Sequence, residues 1–187
     1  MRILGICGSL RAASSNSRLL AAALALKPRD VEMHVTSCMA TLPHFNPDVD
    51  PAQVDSVRRW AAQMKAADGV VISTPEYARG YPGALKNALD WLVNTDAFVN
   101  KPFMLLGASS RSTVAQESLV TVLQTMSGIH VDGASLTLPL LGRNLEVADI
   151  LADQDFRPRI ERSMTTFVSH LRRSREQRCA MKLPVRQ

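Results

Sequence analysis

Apolar residues fall along the chain in two alternating rhythms. Residues 3–7, 69–74 (GVVIST) and 103–107 (FMLLG) are short continuous apolar runs, the pattern of strands buried on both faces of a sheet. Residues 31–35 alternate Val, Glu, Met, His, Val, which suits a half-exposed edge strand, and 131–138 supply a further strand. Between them the period changes. Residues 17–26 are rich in Ala and Leu and stop before Pro28. Val54, Val57, Trp60, Ala61 and Met64 recur at helical spacing, as do Leu85, Leu89 and Leu92, then Leu119, Val122, Leu123 and Met126. Ile160, Met164, Phe167, Val168 and Leu171 predict a long terminal helix packed on the sheet. Residues 39–51, with three prolines, read as a loop.

Strands alternating with helices require right-handed crossovers and a mostly parallel sheet covered on both faces. Five strands and five helices fit an α/β, flavodoxin-like three-layer sandwich with a five-stranded parallel sheet of order 2-1-3-4-5. In such sheets ligands sit beyond the carboxyl ends of the strands, at the switch point between the first and third. The loops after Cys7, Thr74 and Gly107 are therefore where function is expected.

Composition narrows the picture. The 187 residues and 46% hydrophobic content suffice for one well-buried domain. No run of eighteen apolar residues suggests a membrane span, and the amino-terminal residues lack the pattern of a signal peptide, so a cytoplasmic protein is expected. Cys7, Cys38 and Cys179 are odd in number and unpaired in spacing, and His34, His44, His130 and His170 are scattered, so neither a disulfide framework nor a metal site is expected. The formal charge is +5, but Arg172, Arg173, Arg175, Arg178, Lys182 and Arg186 stand against Glu176 alone in the last sixteen residues. Of 22 basic and 17 acidic residues, 16 of each remain in residues 1–171, so the body is neutral. The division expected is a domain over 1–171 and a basic tail over 172–187, a solvated helix end or disordered, and nucleic acid is not the expected partner.

The loop after the first strand reads Gly8-Ser9-Leu10-Arg11-Ala12-Ala13-Ser14-Ser15-Asn16 and opens a helix. It is neither a dinucleotide-binding glycine turn nor a P-loop. Hydroxyls, an amide, a guanidinium and free backbone N–H groups at a helix start suit a phosphate. Ser14, Ser15 and Asn16 are equally suited to capping the helix, and the residues alone leave both readings open. The loop after the third strand, residues 69–74, places Pro75, Glu76 and Tyr77 at the same end of the sheet, followed by Gly80 and by Pro82 in the first turn of a helix. A planar heterocycle could stack there; an ordinary loop with a structural tyrosine is the other reading.

Together, GSLRxxSxN and TPEYxxGxPGxLKNAxDWL, about 60 residues apart, resemble the NAD(P)H-dependent FMN reductase family, whose flavodoxin-like relatives include quinone reductases, azoreductases and chromate-reducing enzymes. The resemblance in fold spans residues 1–171. It implies FMN as cofactor, NADPH or NADH as electron donor, a quinone, flavin or similar small molecule as acceptor, and a homodimer or homotetramer. By position it assigns the FMN phosphate to Ser9, Arg11, Ser14 and Asn16, with a backbone amide from Ser15. It runs Pro75, Glu76 and Tyr77 beside the isoalloxazine, mostly through main-chain atoms, and makes Lys86, Asn87, Asp90 and Trp91 structural or subunit-contact residues.

Two departures stand out. Ala78 occupies a position often held by Asn, which keeps the backbone groups and loses a side-chain contact. The loop from Gly107 to Thr113 lacks the further glycines usual in relatives, although Ser109 and Ser110 can still hydrogen-bond the flavin edge. No side chain in the motifs is an evident acid or base, so no catalytic residue is assigned. A flavin-binding electron carrier, or a flavin-free binding or regulatory protein on the same fold, are the rival readings.

Overall fold

The computed structural model describes the backbone of residues 1–181 and the side chains of residues 1–177. Part of the predicted basic tail, including Lys182 and Arg186, therefore lies outside the described residues, as does the side chain of Cys179.

Among the described residues, six strands, β1 (Arg2–Cys7), β2 (Glu32–Val35), β3 (Gly69–Ser73), β4 (Pro102–Gly107), β5 (Ile129–His130) and β6 (Leu136–Thr137), are interspersed with α1 (Ser15–Leu26), α2 (Asp55–Ala66), α3 (Gly83–Asp90) and α4 (Thr113–Thr125), and followed by α5 (Val147–Ala152) and α6 (Phe156–Met181). All strand pairs are parallel, in the order β2-β1-β3-β4-β5, with β6 also on β4. The order is the one expected, and β2 is the edge strand that its alternating pattern implies.

The apolar runs read as two-faced because their side chains go both ways. Ile3, Val71, Met104 and Leu106 join α1, α5 and α6 in one core. Leu4, Ile6, Val70, Ile72, Phe103 and Leu105 join α2, α3 and α4 in the other. Every residue of β3 and β4 is buried. At Gly69 a β-carbon would stand 2.9 Å from Phe167 and 2.7 Å from Leu171, so the sheet accepts α6 closely only at a glycine.

Of the expected strand over 131–138 only β6 is a strand; β5 ends just before it at His130, and a turn at Asp132–Ala134 separates the two. The reason is local. The Ser135 hydroxyl accepts the Leu105 N–H at 3.1 Å, replacing a ladder bond by a side chain where the backbone turns away. The terminal helix expected from residues 160–171 runs on to Met181, so the basic run begins within it, with Arg172 paired to Asp30 at 2.6 Å.

Candidate functional site at the carboxyl ends of β1, β3 and β4

Cys7 pairs with Ser73, and Ser73 with Leu106, so one rung of the sheet crosses the three adjacent strands just before their loops. All three loops leave from the same level. Close approach is secured at Gly8, whose N–H bonds the Ser73 carbonyl at 2.9 Å and where a β-carbon would lie 2.3 Å from Thr74 Oγ1. Burial pushes the Cys7 thiol beneath this loop above its ordinary value, with a backbone hydrogen bond of Ser9 opposing in part. That favours the neutral thiol of a packing residue.

In the first loop Ser14 caps α1, its Oγ accepting the Asn16 N–H at 3.2 Å, and the Ser9 Oγ accepts the Arg11 N–H at 3.3 Å. Capping and anion binding are thus compatible. Each oxygen accepts from the backbone while its O–H proton remains to be donated. Asn16 is only 7% exposed, and its Oδ1 accepts the buried Ser73 hydroxyl at 3.1 Å. That bond ties α1 to the end of β3, leaving the Asn16 Nδ2 protons without a partner among the described residues. Arg11 is exposed and its guanidinium pairs with no carboxylate among the described residues.

In the loop after β3, Tyr77 and Gly80 exchange backbone hydrogen bonds of 2.8 and 3.0 Å around a two-residue turn. Ala78 and Arg79 at its tip both have left-handed backbone, with φ of 49° and 64°. Tyr77 is 55% exposed. Glu76 reaches the neighbouring loop, where its Oε2 accepts the Ala115 N–H in the first turn of α4 at 3.0 Å. Ser112, at the N-cap of α4, provides no side-chain cap, so Glu76 supplies it from another element. In the loop after β4 the Ser109 Oγ accepts the Arg111 N–H at 3.2 Å.

An open cavity of about 570 Å³ lies between the second and third loops, lined by Glu76, Arg79, Ser109, Arg111, Ser112 and Leu141. Of the expected site residues, Glu76 and Ser109 line it. Pro75, Tyr77, Ala78 and Ser110 belong to the same two loops, and Ser9, Arg11, Ser14, Ser15 and Asn16 form the adjacent one. Arg79, Arg111, Ser112 and Leu141 were not anticipated. The two arginines could have been noticed as cations in site loops of a neutral body; Leu141 carries no sequence signal.

Asn87 and Trp91 are structural. The Asn87 amide donates to the Pro43 carbonyl at 2.9 Å and its Oδ1 accepts the Phe45 N–H at 2.7 Å, while the Trp91 Nε1 also donates to Pro43. Lys86 pairs with Asp90 one turn along the helix. Among the described residues no group of three His, Cys, Asp or Glu is placed to hold a metal ion, and no helix is long and apolar enough to cross a membrane.

These features define a flavodoxin-like α/β protein with a phosphate-compatible helix start beside an open cavity at the strand ends. Residues 1–140 match the family model described as NADPH-dependent FMN reductase, and the chain belongs to that family. It is 37% identical over 113 residues to an NAD(P)H-dependent FMN reductase of Pseudomonas aeruginosa, covering 59% of this chain and 60% of that protein. A quinone reductase of Escherichia coli is 37% identical over 97 residues, covering 49% of this chain and 50% of its own. The chain thus spans between half and three fifths of the length of these relatives. In fold it superposes on a flavoenzyme NAD(P)H:(acceptor) oxidoreductase from Paracoccus denitrificans with a TM-score of 0.83 at 24% identity, covering 92% of this chain and 97% of that one. A flavodoxin from Bacillus cereus superposes with a TM-score of 0.56 at 16% identity, covering 91% and 99%.

Proposed function

We propose that this chain is an FMN-dependent oxidoreductase that passes electrons from NADPH or NADH to a small diffusible acceptor such as a quinone or a free flavin. The carrying observation is that β1, β3 and β4 bring a helix start rich in unspent donors and a rigid aromatic loop to one rung, beside an open cavity. Family membership supports the same reading.

The donors fit FMN. Ser9, Ser14 and the Asn16 Nδ2 can donate to its phosphate, with the Ser15 backbone N–H at the α1 start and the Arg11 guanidinium supplying positive charge. Pro75, Glu76, Tyr77 and Ala78 would run beside the ring, with Ser109 and Ser110 at its edge. When bound, FMN accepts a hydride equivalent from the nicotinamide and passes electrons on; that chemistry is the cofactor's own. The chain's part is to position. Asn16 and Glu76 hold the three loops at fixed spacing, and the exposed Tyr77 ring offers an apolar wall. No side chain is assigned to move a proton.

We further place it in a reducing cytoplasm, supported by free thiols at Cys7 and Cys38, and as a homodimer or homotetramer, supported by the exposed Val93 and Val99. The domain over 1–171 carries the site, with 172–187 as a basic extension of it.

Visible absorbance of purified protein with FMN, before and after NADPH, tests the reading. Protein-bound yellow flavin that bleaches catalytically supports it. Bound flavin that is not reduced indicates a carrier, and no binding at micromolar FMN rejects both. Arg11→Ala is expected to weaken FMN by roughly 1.5–3 kcal/mol, measured by titration; unchanged affinity removes Arg11 from the site.

A further inference from the structure

Two arginines line the cavity, and neither is paired with a carboxylate among the described residues. Arg79 lines it from the loop after β3 and Arg111 from the loop after β4. Among the described residues neither has an ion pair, whereas Arg18, Arg58, Arg157, Arg159 and Arg172 each do. Glu76 lines the same cavity, but its carboxylate is engaged with the Ala115 N–H and pairs with neither arginine.

Both side chains are rooted in constrained backbone. Arg79 sits at φ 64°, held there by the reciprocal Tyr77–Gly80 bonds. The Arg111 N–H is held by the Ser109 hydroxyl, and the Ser112 N–H bonds the Ser109 carbonyl at 3.3 Å. Strained backbone that persists needs support, and here it fixes one cation at a cavity rim. Two arginines against the single carboxylate of Glu76 leave the lining with a net positive charge, which favours an anion. The donors suited to the FMN phosphate lie in the loop after β1, which contributes nothing to this lining. The anion expected here is therefore a second one.

We propose that Arg79 and Arg111 form a subsite that reads a phosphate monoester on a diffusible substrate: the 2′-phosphate of a dinucleotide donor, or the 5′-phosphate of free FMN arriving as acceptor. The proposal rests on the reading above, in which a bound flavin ring lies beside these two loops. Guanidinium forks match phosphate oxygens in pairs, which makes them selective for a phosphomonoester over the bare hydroxyl of the unphosphorylated analogue. The cavity volume falls within the usual range for small-molecule sites.

The test uses FMN-loaded protein and four ligands. NADP⁺ and NAD⁺ are titrated calorimetrically into the parent chain, Arg79→Gly, Arg111→Ala and the double variant; glycine is chosen at 79 because it accepts the positive φ. Free FMN and riboflavin are compared as acceptors by KM. In the first arm each substitution is expected to raise the Kd of NADP⁺ relative to that of NAD⁺ about tenfold or more. That result assigns the subsite to the donor. A comparable rise in the KM of FMN relative to riboflavin assigns it to the acceptor. Arg111→Lys, which keeps the charge and loses the fork, is expected to fall between parent and Arg111→Ala. Ratios unchanged in both arms, on protein carrying its FMN, overturn the subsite and leave the functional reading standing. A parent chain that takes up no FMN overturns the functional reading and the subsite with it.

Discussion

Ala78 and Arg79 occupy the two central positions of a turn that requires positive φ at both, positions usually filled by Asn and Gly. A non-glycine residue in left-handed backbone costs about 1–2 kcal/mol, less for Asn, whose short amide bonds locally. Read from sequence alone, Ala78 in place of Asn is the loss of one side-chain contact. The structure gives the position a conformational meaning instead, because the exchanged Tyr77–Gly80 bonds force the residue into this region whatever its side chain. Ala78→Gly or Ala78→Asn is therefore expected to stabilise the protein by about 1 kcal/mol, seen as a higher urea midpoint at unchanged slope. An unchanged or lower midpoint would show that the turn opens in solution.

At the scale of elements, the site is held by bonds that no local pattern announces. Glu76 was expected beside a flavin ring chiefly through its main chain. Its carboxylate has a role the sequence does not announce: it caps α4 from 39 residues upstream, at a helix whose own N-cap side chain is idle. Glu76→Ala is expected to cost about 1–2 kcal/mol in urea unfolding and to weaken FMN as well, by letting the second and third loops separate. Glu76→Gln, which keeps an accepting oxygen but no charge, should recover part of both. A loss confined to FMN binding, with stability unchanged, would mean the carboxylate serves ligand rather than helix. The long buried strands were legible because continuous apolar runs have one reading in an alternating α/β chain. The last strand was not, since Val131 and Leu138 each bond the backbone of β4, at Phe103 and Gly107, while a turn at Asp132–Ala134 and the Ser135 side-chain bond interrupt the pairing between them.

Over the whole molecule, the location of the site was legible before its composition. Topology alone puts the loops after β1, β3 and β4 together, and the Cys7–Ser73–Leu106 rung bears that out. Which side chains meet across those loops depends on turn conformation and on distant residues such as Leu141, and sequence spacing records neither.

Global stability carries a further consequence through two histidines remote from the site. The His130 ring stacks on Phe103 at 4.9 Å and shares a 3.1 Å bond with Ser135, and burial lowers its pKa below the ordinary 6.5. Nearby Asp132 opposes that shift only in part. His170 is lowered by burial first and by Arg173 second, and its Nε2 is buried with no partner among the described residues. Each folded imidazole therefore binds a proton less readily than its unfolded counterpart. Below about pH 6.5 the unfolded chain gains protons that the folded one refuses, so stability falls as pH drops and is level above that value. Asp30, Asp96 and Asp153, lowered by Arg172, by Lys65 and by backbone N–H groups respectively, act in the same direction only nearer their ordinary 3.8. The urea midpoint is thus expected to decline between pH 7 and pH 5, before the carboxylates titrate. His130→Gln with His170→Gln should flatten that decline; a slope that survives both substitutions would place its origin in other groups.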